Sequence, residues 1–476
     1  MTRKSGSPGV TAVVLAAGSA TRFGSDKLLA PLNGRPLLQH VLDALDAAGL
    51  TDVVVVLGSD ARAIEAAIDW RSERRVTNPD PERGLSSSVD IGLEAVPEQA
   101  AAALIVLGDQ PALSQATIRS LLDQPRDKDR PVVVARYADD SARNPVLLGR
   151  AAFPLVAEAT GDRGLGPVLA AHSDLVHEVQ VAGSNPDVDT PEDLAAAVEA
   201  NWAARVRANR EQVERIREVP DGQDFYAPVR SLFRADPTRT DDPLLGALLD
   251  LVRPGETWLD VGAGAGRFAL PLARALDESG GDVIALDVSP SMLEALREIA
   301  QDNAIENVRT VEFHWPPDPG SADRFQADVS LIAHVGYDVE DIGPFLDALE
   351  AASRRQCVAV LMERAPASAA DPFWPPVHGE ARVPLPALPE ALELLEARGR
   401  LPSVTRVAVE PRRFESRDAL AGFARRQLWI DPAGPKEARF QAALDEFTEQ
   451  DDAGWTVRGR SASDVGIVTW RPARED

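Results

Sequence analysis

The chain has 476 residues, 44% of them hydrophobic, and a formal net charge of −25. That length implies two or three domains, each able to bury a core, while the acidic balance excludes a sequence-independent grip on nucleic acid or an anionic membrane surface. A single cysteine, Cys357, excludes an intramolecular disulfide and a cysteine-built zinc site, no apolar run approaches the roughly 20 residues that span a bilayer, and a reducing, cytoplasmic setting is expected.

In chain order, Val10–Ala16 reads as a buried strand rather than part of a leader, because it runs straight into a glycine-bearing loop. Val53–Leu57, Ala103–Leu107 and Val132–Ala135 follow as strands, with helices at Pro36–Ala48, Asp60–Asp69 and Ser114–Leu122 between them. Such alternation implies parallel strands with helices on both faces. A last helix opens at Thr190-Pro191-Glu192-Asp193, with a cap residue, proline at the first position and acids in the first turn. It is expected to run to Glu218, with residues 201–218 as a helical linker between a domain at 1–200 and another at 219–476. The second domain carries seven strand candidates: Thr257–Val261, Val283–Asp287, Val308–Phe313, Asp328–Ile332, Cys357–Met362, Val404–Val409 and Val465–Trp470. Helices at Arg267–Leu276 and Ser291–Ala300 separate the early ones. The expected fold class is α/β, with two doubly wound domains: an N-terminal Rossmann-like sheet and a C-terminal seven-stranded sheet.

The loop after the first strand reads AAGSATRFGSDK, from Ala16 to Lys27. It is not a P-loop, because five residues separate Gly18 from Gly24 and Lys27 comes three after Gly24. A dinucleotide fingerprint also fails. What remains is either an anion-binding loop with Arg22 and Lys27 reaching in, or a surface turn with solvated charges. Lys27 stands out because only four of the 50 basic residues are lysines. Asp109 at the end of a strand and Asp189 before the last helix would both reach the carboxyl edge of an open parallel sheet. Two carboxylates there suit a magnesium ion on phosphates.

The stretch LAAGSATRFGSDKLLAPLNGRPLL, Leu15 to Leu38, resembles the opening signature of the MobA-like nucleotidyltransferases, and among them the molybdenum-cofactor cytidylyltransferases. Further motifs follow in the family's order: Asn78-Pro79 with Gly84-Leu85-Ser86-Ser87-Ser88, then Gly108-Asp109-Gln110-Pro111, Asn144-Pro145-Val146, Gly161-Asp162-Arg163-Gly164 and Asp187-Val188-Asp189-Thr190. The resemblance implies transfer of a nucleotidyl group from CTP with Mg2+ to a phosphorylated acceptor such as molybdopterin. It implies Ala17, Gly18, Gly24, Gly84 and Ser86 at the nucleotide, Arg22, Lys27 and Asp109 in catalysis, and Asp109 with Asp189 at the metal. A molybdoenzyme or its assembly factors would be the partner. One departure bears on the acceptor: the family's GDxG usually continues Ala-Arg, and here Leu165-Gly166-Pro167 follows.

The second loop, Asp260-Val261-Gly262-Ala263-Gly264-Ala265-Gly266, lies between a strand and a helix. Asp287 ends the next strand, 21 residues after Gly266, placed to accept both hydroxyls of a ribose. This resembles the class I S-adenosylmethionine-dependent methyltransferases, and implies Asp260, Gly262, Gly264, Gly266 and Asp287 as cofactor-binding residues. Trp315 would stack on the adenine or fill the core; His334 would take a proton from the methyl acceptor or sit satisfied in the core. Asp371–Gly379, rich in proline and aromatics, reads as a lid over the substrate. The combined reading is a bifunctional enzyme acting on small molecules. The alternatives are a methyltransferase whose first domain is a nucleotide sensor or scaffold, or a transferase whose acceptor is a sugar or alcohol phosphate.

Overall fold

The computed structural model describes residues 9–18, 23, 27–125, 129–139, 143–220, 234–318 and 322–473. The chain divides into two compact units, Met1–Ala197 and Val198–Asp476. Each holds a seven-stranded sheet.

In the first unit the strands are Val10–Ala16 (β1), Val53–Leu57 (β2), Arg74–Thr77 (β3), Ala102–Leu107 (β4), Val132–Tyr137 (β5), Val146–Gly149 (β6) and Val176–Val181 (β7). Their spatial order is β3-β2-β1-β4-β6-β5-β7. All seven residues of β1 are buried, as a central strand covered on both faces requires. Helices Leu37–Ala48 (α1) and Gln115–Leu122 (α3) cover one face; Leu85–Glu94 (α2) lies against the other. Ser114 caps α3 by accepting from the Thr117 amide.

The sheet is not wholly parallel: β6 runs antiparallel to both β4 and β5. It follows the segment Arg143–Pro145, which reverses the chain after β5. Three strands escape the sequence pattern, for two physical reasons. β3 and β7 are outermost strands with few buried residues, and β6 is only four residues long.

The second unit contains Thr257–Val261 (β8), Asp282–Asp287 (β9), Val308–Glu312 (β10), Ala327–Ala333 (β11), Ser353–Met362 (β12), Ser403–Val409 (β13) and Ser463–Trp470 (β14). The order is β10-β9-β8-β11-β12-β14-β13, with β14 antiparallel to both of its neighbours. The expected strands and the observed ones agree to within a few residues at their ends. A 26-residue helix, Pro191–Ile216 (α4), begins in the first unit and ends in the second. No described helix is long and apolar enough to cross a membrane.

The segment read as a lid is anchored in a core by its aromatics, with Pro375, Pro376 and Gly379 exposed. Phe373, Trp374 and Val377 are fully buried in a cluster with Leu420, Phe440 and Leu444, away from solvent. The aromatic and proline content that suggested a cover reflects tight packing of short helices.

A helix glycine gives the sharpest packing test. In an exposed helix, Gly→Ala stabilises by about 1 kcal/mol. At Gly92 of α2, however, a Cβ would lie 2.3 Å from Val13 Cγ1 on β1. Gly92→Ala is therefore expected to destabilise by about 1–3 kcal/mol in chemical denaturation; a stabilised variant would contradict the close helix–strand contact.

Candidate functional site

Three distant segments meet at the carboxyl edge of the first sheet. Lys27 follows the loop after β1, Asp109 follows β4, and Asp189 precedes α4. The Lys27 Nζ donates to Asp109 Oδ2 and to Asp189 Oδ1, both at 2.6 Å. Lys27 is 9% exposed. Burial alone would lower its pKa, yet the two carboxylates outweigh burial and hold it raised, so it is a fixed ammonium.

The acids are braced from the backbone. Val188 N donates to the Asp109 carbonyl at 3.0 Å. Gln110 Nε2 donates to Asp187 Oδ1 at 2.7 Å and to the Asn185 carbonyl at 3.2 Å. Thr190 and Asp193 close the start of α4 reciprocally: Asp193 Oδ2 accepts from the Thr190 amide at 2.9 Å, and the Thr190 hydroxyl oxygen accepts from the Asp193 amide at 3.2 Å. Gln110 is the positioning residue that sequence reasoning missed. Its signal was its place directly after Asp109.

The second motif region folds onto the fifth. Gly84 has φ +93°, and a Cβ there would lie 2.4 Å from the Gly161 carbonyl carbon, so glycine permits the close approach of the two loops. Asn78, 2% exposed, donates to the Ser87 and Ser88 hydroxyls at 2.8 and 3.0 Å. Ser86 is buried on the same turn. Ala17 is buried and Gly18 is exposed at the end of β1. Arg22 and Gly24 lie outside the described residues.

In the second unit the loop after β8 is tied to its neighbours. Gly262 N and Ala263 N both donate to the Leu286 carbonyl at 2.8 Å. Gly264 N donates to Asp287 Oδ2, and Ser289 N to Asp287 Oδ1, each at 2.8 Å. All three loop glycines have positive φ. A Cβ at Gly262 would strike Val335 Cγ2 at 2.4 Å, and one at Gly266 would strike Leu270 and Leu296; at Gly264 the space is open. Gly262 and Gly266 thus allow close packing, whereas Gly264 faces room for a ligand.

Asp260 is 2% exposed and its Oδ1 has no hydrogen-bond partner. Burial, and then the charge of Asp287, push its pKa up to about 7. His334 follows β11 with φ +59°, a left-handed conformation rare outside glycine. Its Nδ1 is buried without a partner; burial, helped by Arg267, lowers its pKa to about 4, so the ring is neutral at pH 7. Trp315 is 7% exposed, donates from its indole to the Phe345 carbonyl at 3.2 Å and lies 6.2 Å from Phe325. The structure does not bring it to the glycine loop as an open stacking surface.

The first site gathers one cation and two carboxylates at a strand edge, as chemistry on phosphates requires; the second has the loop-and-acid arrangement of a nucleoside-binding α/β sheet. The family model described as MobA-like NTP transferase domain matches residues 12–176, and one described as methyltransferase domain matches residues 253–314. Over 165 residues the chain is 35% identical to the nicotine blue oxidoreductase of Paenarthrobacter nicotinovorans, covering 34% of this chain and 76% of that protein. It is 32% identical over 167 residues to the bifunctional protein GlmU of Clavibacter sepedonicus, covering 33% of this chain. The match spans only 34% of that GlmU's own length. Among solved structures, Rv0371c of Mycobacterium tuberculosis H37Rv is 32% identical, with 39% of this chain and 94% of that chain covered and a TM-score of 0.35. The chain belongs to the MobA-like NTP transferase family, and a methyltransferase domain follows in the same polypeptide.

The buried carboxyl of Asp260 sets a pH dependence. Because its folded pKa is raised above the usual 3.8, the folded state holds the proton more tightly, so this contribution to stability falls as pH rises from about 4 to about 7 and is then constant. Asp260→Asn should therefore gain on the wild type by up to a few kcal/mol across that window. Parallel stability curves in thermal melts at pH 4 to 8 would contradict it.

Proposed function

We propose that the chain is a bifunctional transferase. In the first unit, CTP donates CMP to a phosphorylated acceptor with release of pyrophosphate; in the second, S-adenosylmethionine donates a methyl group to a small organic molecule. The observation that carries the first assignment is the convergence of Asp109 and Asp189 on a single ammonium, Lys27.

A Mg2+ ion fits this donor set. Two carboxylate oxygens already converge on one cationic atom, and hard oxygen ligands suit the ion. Among the described residues, no cluster of three or more His, Cys, Asp or Glu could hold a metal, which is consistent with a site completed by substrate phosphates and water. Such an ion would neutralise charge on the α- and β-phosphates. Lys27 contributes a permanent positive charge to the leaving pyrophosphate. An acceptor oxygen that is already anionic needs no general base. Molybdopterin is the acceptor that the motif order favours. The Leu165-Gly166 departure favours a different phosphate.

For the second unit, Asp287 at the end of β9 and the open face at Gly264 fit the ribose and amino-acid parts of S-adenosylmethionine. The unpartnered Asp260 Oδ1 and His334 Nδ1 are buried polar atoms at the same strand ends, available to a bound ligand. An oxidoreductase reading of the first unit is favoured by the match to nicotine blue oxidoreductase, and it predicts no pyrophosphate from any nucleotide.

Two substitutions divide these readings. Asp109→Asn should lower Mg2+-dependent CTP turnover at least a hundredfold, read as pyrophosphate release, while S-adenosylmethionine binding by calorimetry is unchanged. Asp287→Ala should do the reverse, weakening the methyl donor at least tenfold. Turnover undiminished in the first variant and binding intact in the second would sink the bifunctional reading.

A further inference from the structure

We propose that the acceptor of the first unit is a phosphomonoester carried on an apolar body, held in the cavity beneath α2 with its phosphate against Arg163. This rests on the nucleotidyl-transfer reading, which is what calls for a phosphorylated acceptor.

The cavity measures about 470 Å³, within the range of roughly 300–1,000 Å³ that takes small organic ligands. One part of its wall is aliphatic, formed by Leu85 and Val89 from α2, Ile105 from β4, Val134 from β5, and Leu165 and Leu169 beyond β6, while Asn144 and Ser173 add neutral polar groups. Close-packed interiors hold few voids larger than a water molecule, because wall atoms without neighbours forfeit their dispersion contacts. The aliphatic part of the wall offers a polyhydroxylated body no partners for the hydrogen bonds it would bury there. A hydrocarbon or aromatic body loses nothing there.

The charged part of the lining is mostly basic, although the chain is strongly acidic. Arg130, Arg143 and Arg163 face the cavity, with Glu178 as its one carboxylate. Glu178 is engaged by Arg136 at 2.9 Å and faces Arg143 at 3.9 Å. Arg130 and Arg163 have no ion pair with any described carboxylate. A guanidinium in that setting selects an anion with several acceptor oxygens. Apolar wall and cationic mouth together define an amphiphilic acid.

Two lining residues adjoin the strand ends that lead to the transfer centre. Leu15 and Leu107, near the ends of β1 and β4, line the cavity; Gly108 N donates to the Leu15 carbonyl at 2.9 Å, and Asp109 is the next residue. In the step this permits, an oxygen lone pair of the acceptor phosphate forms a bond to the α-phosphorus of the nucleotide. The bond from that phosphorus to the bridging oxygen breaks, and pyrophosphate departs with the electron pair. No proton need move, and the product is a nucleoside diphosphate ester of the apolar body.

The test uses the purified full chain and 1-naphthyl phosphate as probe, with 1-naphthol and ribose 5-phosphate as single-feature controls. Equilibrium dialysis should give 1-naphthyl phosphate at least about tenfold tighter binding than either control. Arg163→Met should cost about tenfold for 1-naphthyl phosphate and leave 1-naphthol unchanged. Ala170→Trp, at an exposed residue of the cavity lining, should weaken both aromatic probes while CTP binding persists. Ribose 5-phosphate binding as tightly as the naphthyl ester overturns the proposal, as does competitive displacement of 1-naphthyl phosphate by CTP. If no nucleoside triphosphate binds but 1-naphthyl phosphate still does, the transfer reading falls and the ligand class of the cavity stands.

Discussion

Both units depend on one constraint: a strand in a parallel sheet delivers its loop to the carboxyl edge, and only where strand order reverses does that edge open into a crevice. The reversals lie beside β1, flanked by β2 and β4, and beside β8, flanked by β9 and β11. Each ligand loop follows its switch-point strand directly. Once β1 and β8 are central and fully covered, the glycines, acids and lysine behind them have little choice of where to be. The two sites are therefore two uses of one geometry, with two carboxylates on an ammonium in one and backbone amides on a carboxylate in the other.

Charge is handled differently at the two edges. In the first unit, opposite charges are paired at contact distance, so neither the lysine nor the acids are left alone in a partly buried place. In the second, Asp260 is withdrawn from water with one oxygen unpartnered, and its equilibrium shifts toward the neutral acid. An ion pair is exchangeable with a polyanion and a divalent ion. A carboxyl poised near neutrality can instead carry a proton and donate a hydrogen bond.

The central strands and the helices with strong caps were legible because continuous apolar runs and cap residues are local signals. The edge strands β3 and β7 were not, since an outer strand buries one face at most and Arg74-Arg75 looks like loop. The antiparallel β6 escaped because four residues carry no period. The placing of Asp109 and Asp189 at the carboxyl edge was read from the strand–helix pattern, whereas their shared ion pair with Lys27 was not, because Lys27 lies eleven residues beyond β1 at the end of a long loop. The brace from Gln110 was not, because an amide beside a catalytic-looking acid has no compositional mark. Trp315 and Asp371–Gly379 were harder: an aromatic in a core and one on a ligand leave the same trace in a sequence, and only burial separates them.

The helix α4 bears on where the chain can be divided. Its first turn, with Pro191 and the reciprocal Thr190–Asp193 cap, belongs to the first unit, and its later turns belong to the second. Within the second unit, Trp202 donates to the Val339 carbonyl and Gln212 to the Ala381 carbonyl. A gene cut at the contact boundary would strip the helix of its start and leave frayed amides ahead of Trp202 and Gln212, which bond to the rest of the second unit. The boundary of compactness thus falls inside one helix, and a replacement of either half by a homologue would have to carry that helix and its cap whole.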